Sequence, residues 1–213
     1  GLAHQVDNIE MATRLLGPQE VYSIVLSSAV IDYFDKGSKF DFKAFWKRSM
    51  RCAITSKIIA EKCKISSSGV TTAGMLHDIG KVVFAEIAPE RYDKVSQDLQ
   101  DIDIIELENE LFGMAHPEVG FILMENWGLP IEISEPVRFH HAFKEAGQCK
   151  ELVAVVALGS LMASTYGNIN KDNVHEFANA CKELLKSLSL SELEFVEILK
   201  ESSGAISKDA LAR

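Results

Sequence analysis

The residues best suited to chemistry begin with one stretch, Gly74-Met75-Leu76-His77-Asp78-Ile79-Gly80-Lys81. His116 and the adjacent pair His140 and His141 follow it. Imidazole and carboxylate are the side chains that bind a divalent cation or build a buried hydrogen-bonded network. His77 and Asp78 lie inside an apolar run that reads as helix. Adjacent helical residues diverge by about 100°, so the two side chains converge only on something between their directions, a metal ion or a polar network. Gly74 and Gly80 permit close approach of another helix, and Lys81 is placed to meet an anion. His116 sits just before Pro117, a helix-start signal, and His140 with His141 ends an apolar helix. His175, beside Glu176, reads as surface, and His4 as tail. On residue types alone, satisfied core histidines and a metal site are both open readings.

The elements that must position these residues read as helices almost throughout. Val6, Ile9, Ala12 and Leu16 recur at helical spacing before Gly17-Pro18. A second helix is expected over about 19–35 and a third over about 43–63, with Trp46, Met50, Ala53, Ile54 and Ile58 on one face. A fourth spans 69–86, interrupted by its glycines, and Pro89 marks a boundary. Pro117 opens a helix that Gly128-Leu129-Pro130 closes. Residues 131–141 and 151–165 form two more. Asn173 with Glu176 resembles a capping box, ahead of the stripe Val174, Phe177, Ala178, Cys181, Leu184, Leu185 and Leu188. Ser191 with Glu194 starts a last helix to about 201, and the final ten residues are expected to fray. No alternating strand pattern, repeat or low-complexity linker is present.

Composition removes several classes. The chain has 213 residues, 47% of them apolar and 25% charged, with Pro and Gly only 18 in total, which excludes disordered and collagen-like chains. Its net charge of −9 argues against nucleic acid as the main partner, because phosphate binding needs a basic surface. The longest apolar run, Val153–Ala163, is too short to span a membrane. Cys52, Cys63, Cys149 and Cys181 form no C-x-x-C pair and read as reduced thiols of a cytoplasmic protein. Residues 36–64 hold nine Lys or Arg against Asp41 and Glu61, whereas 86–110 hold nine Asp or Glu against Arg91 and Lys94. This polarity suits two solvated faces or the steering of a charged partner.

The order of the motifs resembles the HDOD family, the HD-related output domain of bacterial signalling proteins. The resemblance runs over about 9–165. It is carried by Ala12 to Gly17 with Val21, then Phe45-Trp46-Lys47-Arg48-Ser49 with Cys52-Ala53, then Leu76 to Lys81. It continues through Pro89-Glu90 with Tyr92, Glu108 and Glu110, Gly113 with His116, Val119 and Gly120, Trp127 with Leu129-Pro130, and His140-His141. It implies an all-α fold, an HD-domain-like helical bundle with additional C-terminal helices. One HDOD-like domain is expected over 1–213, with an HD-like core at about 40–165 and a helical C-terminal part at about 170–213. The family's usual N-terminal helices are expected to be missing from this chain.

The HD superfamily hydrolyses phosphate esters with metal held by a first His, the His-Asp pair and a late Asp, and some members hold a second metal with further histidines. Carried over, the pair is His77 and Asp78, and the further histidines are His116, His140 and His141. The first His falls on Arg48, and the late Asp on a stretch without an acid, where Ser160 is the equivalent. A guanidinium is always charged and repels a metal ion. The resemblance and this incomplete set therefore point to a non-enzymatic regulatory output domain that contacts signalling proteins, with no catalytic residue and no cofactor expected. Arg48, His77, Asp78, Lys81, His116, His140, His141 and Ser160 are then a vestigial site or polar network. Arg48 is expected to reach into the emptied position and meet Asp78 with two hydrogen bonds. The alternative is a metal-dependent phosphohydrolase of a nucleotide or cyclic dinucleotide, using a divalent ion on Asp78 with His77, His116, His140 and His141. A nucleotide-binding sensor with Lys81 and Arg48 as anion contacts is a third reading.

Overall fold

The computed structural model of the chain describes residues 40–66, 69–93, 95, 101–170 and 172–211. The two helices expected before residue 36 lie outside these. The described elements are α1 (Phe42–Cys63), α2 (Val70–Leu76), α3 (Ile79–Ile87), α4 (Pro89–Tyr92), α5 (Asp101–Phe112), α6 (His116–Asn126) and α7 (Ile131–Phe139). After a 3-10 turn at Phe143–Glu145 come α8 (Lys150–Ser164), α9 (Val174–Ala180), α10 (Lys182–Ser187) and α11 (Glu192–Leu211). No strand occurs among the described residues. The fold is all-α, as the sequence pattern implies.

Helix α1 is set at its start by Asp41, whose carboxylate accepts the Ala44 N–H at 2.9 Å. It ends on Lys64 in the left-handed conformation, φ 56°. Its buried stripe, Phe42, Phe45, Ser49, Cys52, Ser56 and Ile59, advances by three or four residues and faces α8. Helix α8 is buried without interruption from Val153 to Ser160, the mark of a helix enclosed on every side. The two backbones approach closely at Gly159, where a Cβ would fall 2.2 Å from Ser56 Oγ. The same apolar core takes in Leu76 of α2, Ile133 of α7, and Phe195 and Ile198 of α11. Burying each of these large side chains stabilises the fold by about 1.5–3 kcal/mol. A smaller cluster joins Phe84, Tyr92, Val95 and Ile104, with the Phe84 ring stacked on Phe112 at 4.3 Å.

Several boundaries differ from the sequence expectation. The helix expected over 69–86 breaks at His77-Asp78 rather than at its glycines. Helix α7 stops at Phe139, so His140 and His141 form a turn. Asn173 does not build a capping box. Its Oδ1 accepts the Asn170 N–H and its amide donates to Asn168 O, so its side chain closes the preceding loop instead. The stripe from Val174 to Leu188 divides at Cys181 into α9 and α10. Ser191 and Glu194 do form the reciprocal box, Glu194 accepting from Ser191 N–H at 2.9 Å and Ser191 Oγ accepting from Glu194 N–H at 3.3 Å. The helix they start continues to Leu211 instead of ending near 201.

Candidate polar centre and metal site

The site exists because regular helix lapses between α2 and α3. Asp78 takes φ −98°, ψ 8° at the head of α3, and its side chain caps no N–H. The carboxylate is therefore available to the interior, and His77 and Asp78, which would diverge in a continuous helix, meet at 3.4 Å (Nε2 to Oδ2). Both are almost fully buried, His77 at 0% and Asp78 at 1% exposure.

Asp78 faces two ways. Its Oδ2 meets Lys81 Nζ at 2.9 Å and Arg48 Nε at 3.5 Å. Its Oδ1 meets His116 Nε2 at 3.0 Å and His140 Nε2 at 3.6 Å. His141 Nε2 lies 3.2 Å from His116 Nε2. The rings pack together, with centroids 5.1 Å apart for His77 and His140 and 4.1 Å for His140 and His141. The structure thus brings His77, Asp78, Lys81, His116, His140, His141 and Arg48 into one centre. Arg48 turns inward, within the usual ion-pair distance, but the contact is one Nε–Oδ2 approach and not two-pronged hydrogen bonding. Ser160 is buried in α8, and its hydroxyl has no hydrogen-bond partner among the described residues. His175 lies on the surface beside Glu192, away from this centre.

Two residues that sequence reasoning did not assign to the site support it. Glu108 of α5 is fully buried. Its Oε2 accepts both the backbone N–H and the Nδ1–H of His116, each at 2.7 Å, and its Oε1 accepts the Tyr92 hydroxyl at 3.3 Å. Glu108 and Tyr92 stand in the family-like motifs, but Glu108 also stands in an acidic run that reads as solvated. Gly80 lets α3 lie against the start of α6, since a Cβ there would fall 2.1 Å from His116 O.

The protonation pattern follows from the partners. A carbonyl only accepts, so His77 Nδ1 donates to Gly74 O and His140 Nδ1 to Val137 O, both at 2.8 Å. Their Nε2 lone pairs then turn toward Asp78. Neither Nε2 atom nor Asp78 Oδ1 has a hydrogen-bond partner among the described residues. Added protons are disfavoured: burial depresses the His77 pKa to about 3, and burial also lowers those of His140 and His141. For Asp78, burial alone would raise the pKa, but His77, Lys81 and Arg48 outweigh it and hold the carboxyl well below its ordinary value.

Lone pairs aimed at a carboxylate are reconciled by a cation between them. Asp78, His116, His140 and His141 offer ligand atoms that all lie within 4.8 Å of one another. The rings of His77, His116 and His140 give their other N–H to a carbonyl or carboxylate, the outer support typical of metal-bound imidazole. These residues fit one divalent cation. Arg48 and Ser160 add nothing to that set, since a guanidinium and a neutral hydroxyl stand where an ion needs anionic or imidazole donors.

The HDOD domain model matches residues 1–143. The chain belongs to the HDOD family. Among solved structures, this HDOD chain is similar to a candidate phosphohydrolase from Shewanella amazonensis, 22% identical with TM-score 0.76, over 95% of this chain and 76% of that one. An HDOD domain protein of unknown function from Geobacter sulfurreducens is 23% identical, with TM-score 0.72, over 96% and 74% of the two chains. A candidate signal transduction protein from Marinobacter aquaeolei is 20% identical, with TM-score 0.70, over 96% and 49%. An uncharacterized protein of Treponema pallidum is 28% identical over 126 residues, 56% of this chain. The matched part spans about a quarter, 24%, of that curated relative's length. No helix among the described residues is long and apolar enough to cross a membrane.

Proposed function

We propose that this HDOD chain is a regulatory signalling module that acts through protein contacts and does not hydrolyse phosphate esters. One observation carries the reading: Lys81 and Arg48 both engage Oδ2 of Asp78, the carboxylate a hydrolytic metal would need. Two fixed positive charges there oppose a catalytic ion. The HDOD membership and the likeness to a candidate signal transduction protein support a signalling context. Its partners on this reading are signalling proteins, in keeping with the acidic balance of the chain. The free cysteines suit the reducing cytoplasm. We read residues 1–213 as one HDOD-like domain, supported by the apolar core that α1 shares with Phe195 and Ile198.

The test is phosphodiester hydrolysis by purified protein with added manganese or ferrous iron. The expected result is no turnover above the level of a blank preparation. Turnover that disappears on Asp78→Ala would overturn the regulatory reading. It would favour the second one, a metal-dependent phosphohydrolase, for which the converging ligand atoms of Asp78, His116, His140 and His141 speak.

A further inference from the structure

A cavity of about 210 Å³ has Asp78, Lys81 and Arg48 in its lining. The rings of Phe40, Phe45 and Tyr92 also belong to that lining. These rings are ordered as one aromatic lining, with the Phe40 centroid 5.6 Å from that of Phe45 and 6.0 Å from that of Tyr92. Ala44, an exposed residue with a minimal side chain, stands on its border. The lining thus combines apolar rings with two cationic side chains that share one carboxylate. Two cationic heads meet a single carboxylate oxygen there, and the Lys81 side chain is only 9% exposed.

We propose that this cavity binds a small organic anion, a phosphate or carboxylate head on a flat apolar body, as a regulatory ligand. The inference rests on the regulatory reading above, since in a hydrolase the same cavity would hold a substrate. The head group lies by Lys81 and Arg48, where a guanidinium and an ammonium together suit a multi-oxygen anion. The body lies among the rings, whose faces and edges accept a flat partner. The volume is below the roughly 300–1,000 Å³ of pockets for drug-sized ligands, so the class is limited to about a dozen non-hydrogen atoms. Neutral analogues of the same shape lose the charge-assisted contacts.

The probe is 4-fluorophenyl phosphate, followed by fluorine NMR, with 4-fluorobenzoate as the carboxylate arm and 4-fluorobenzyl alcohol as the neutral control. A ligand of this size is expected to bind with Kd about 1 mM or tighter. The alcohol should bind at least about tenfold more weakly. Ala44→Trp, at an exposed position outside the charged centre, should fill the entrance and weaken the anion at least about tenfold while leaving the far-ultraviolet circular dichroism and the melting temperature unchanged. Lys81→Gln should weaken it comparably. The resonance of the free fluorophenol reports hydrolysis in the same tube. Binding without fluorophenol supports both this inference and the regulatory reading. Binding with Asp78-dependent fluorophenol keeps the cavity assignment and overturns the regulatory reading. Absence of saturable binding by both anions, or binding that Ala44→Trp leaves unchanged, overturns the cavity assignment alone. Preference for phosphate or for benzoate decides which head group Lys81 and Arg48 accept.

Discussion

Gly80→Ala is expected to damage the fold and the polar centre together. The added methyl would stand 2.1 Å from His116 O, 2.8 Å from its carbonyl carbon and 2.9 Å from its Cα. Ordinary contact begins near 3.4 Å, so two main chains must part by about 1.3 Å. No side chain is available to rotate out of the way. Overpacking of this kind costs about 1–3 kcal/mol, and backbone against backbone belongs at the upper end. Alanine returns up to about 1 kcal/mol through its helix propensity. The net loss is about 2 kcal/mol, which for a chain of this size is a melting temperature lower by roughly 4–8 °C. Parting α3 from α6 also draws Asp78 away from His116, now 3.0 Å apart. Urea unfolding followed by circular dichroism measures the loss. Gly204→Ala is the control, because nothing lies within 4 Å of a Cβ there, and in mid-helix it should stabilise by about 0.5–1 kcal/mol. A Gly80→Ala protein within about 0.5 kcal/mol of the parent would show that this approach does not hold the site together.

Asp78→Ala should cost about 3 kcal/mol in urea unfolding, the lower end for breaking a buried ion pair because Arg48 is partly exposed; an unchanged midpoint would mean that Lys81 and Arg48 find water without it. Acid should destabilise the fold. The unfolded His77 takes up a proton near pH 6.5 that the folded one refuses until about pH 3, so stability falls as pH drops through that window. Asp78 acts in the same sense at lower pH: its depressed folded pKa contributes stability above its ordinary value of 3.8, which is lost as pH falls through the folded value. Urea midpoints at about pH 7.5 and about pH 5 should therefore differ by up to about 2 kcal/mol of stability from His77, with the lower value at pH 5. Arg48→His combined with Ser160→Asp replaces the two residues that the family resemblance aligns with an HD-type His and Asp, and should raise the manganese or iron bound per chain by about one equivalent; equal metal content in parent and double variant would show that these two positions are wrongly matched.

The broad plan was legible because apolar spacing and motif order are local or sequential signals. The apolar spacing places the face of α1 about one residue off: Trp46, Met50, Ile54 and Ile58 are only half-buried, whereas Phe45, Cys52 and Ile59 beside them are the buried side chains. The three histidine-bearing motifs do meet. The way they meet was not legible. A continuous helix through Leu76 to Lys81 would separate His77 from Asp78, and the break that joins them is fixed by packing of α3 against α6 at Gly80, a contact between segments distant in sequence. Glu108 shows the same limit. Its neighbours Glu106 and Glu110 make the stretch read as a solvated acidic face, yet it is Glu108 that α5 turns fully inward to His116. Asn173 misled for a local reason, since the same amide that caps a helix also closes a loop, and here the loop to Asn168 and Asn170 takes it. Arg48 was read in the correct direction but not in its contact, because the length of its side chain leaves the angle of approach to the surrounding packing.

The two-faced carboxylate of Asp78 makes the sites on its two sides thermodynamically reciprocal. A cation held by His116, His140 and His141 would draw the negative charge of Asp78 toward Oδ1, leaving Lys81 and Arg48 less compensated at Oδ2. An organic anion beside those two residues would then bind more tightly, and by linkage it would raise the affinity of the histidine side for the cation by the same factor. If both sites fill as proposed, one buried side chain would make the centre a coincidence detector, most responsive when cation and anion arrive together.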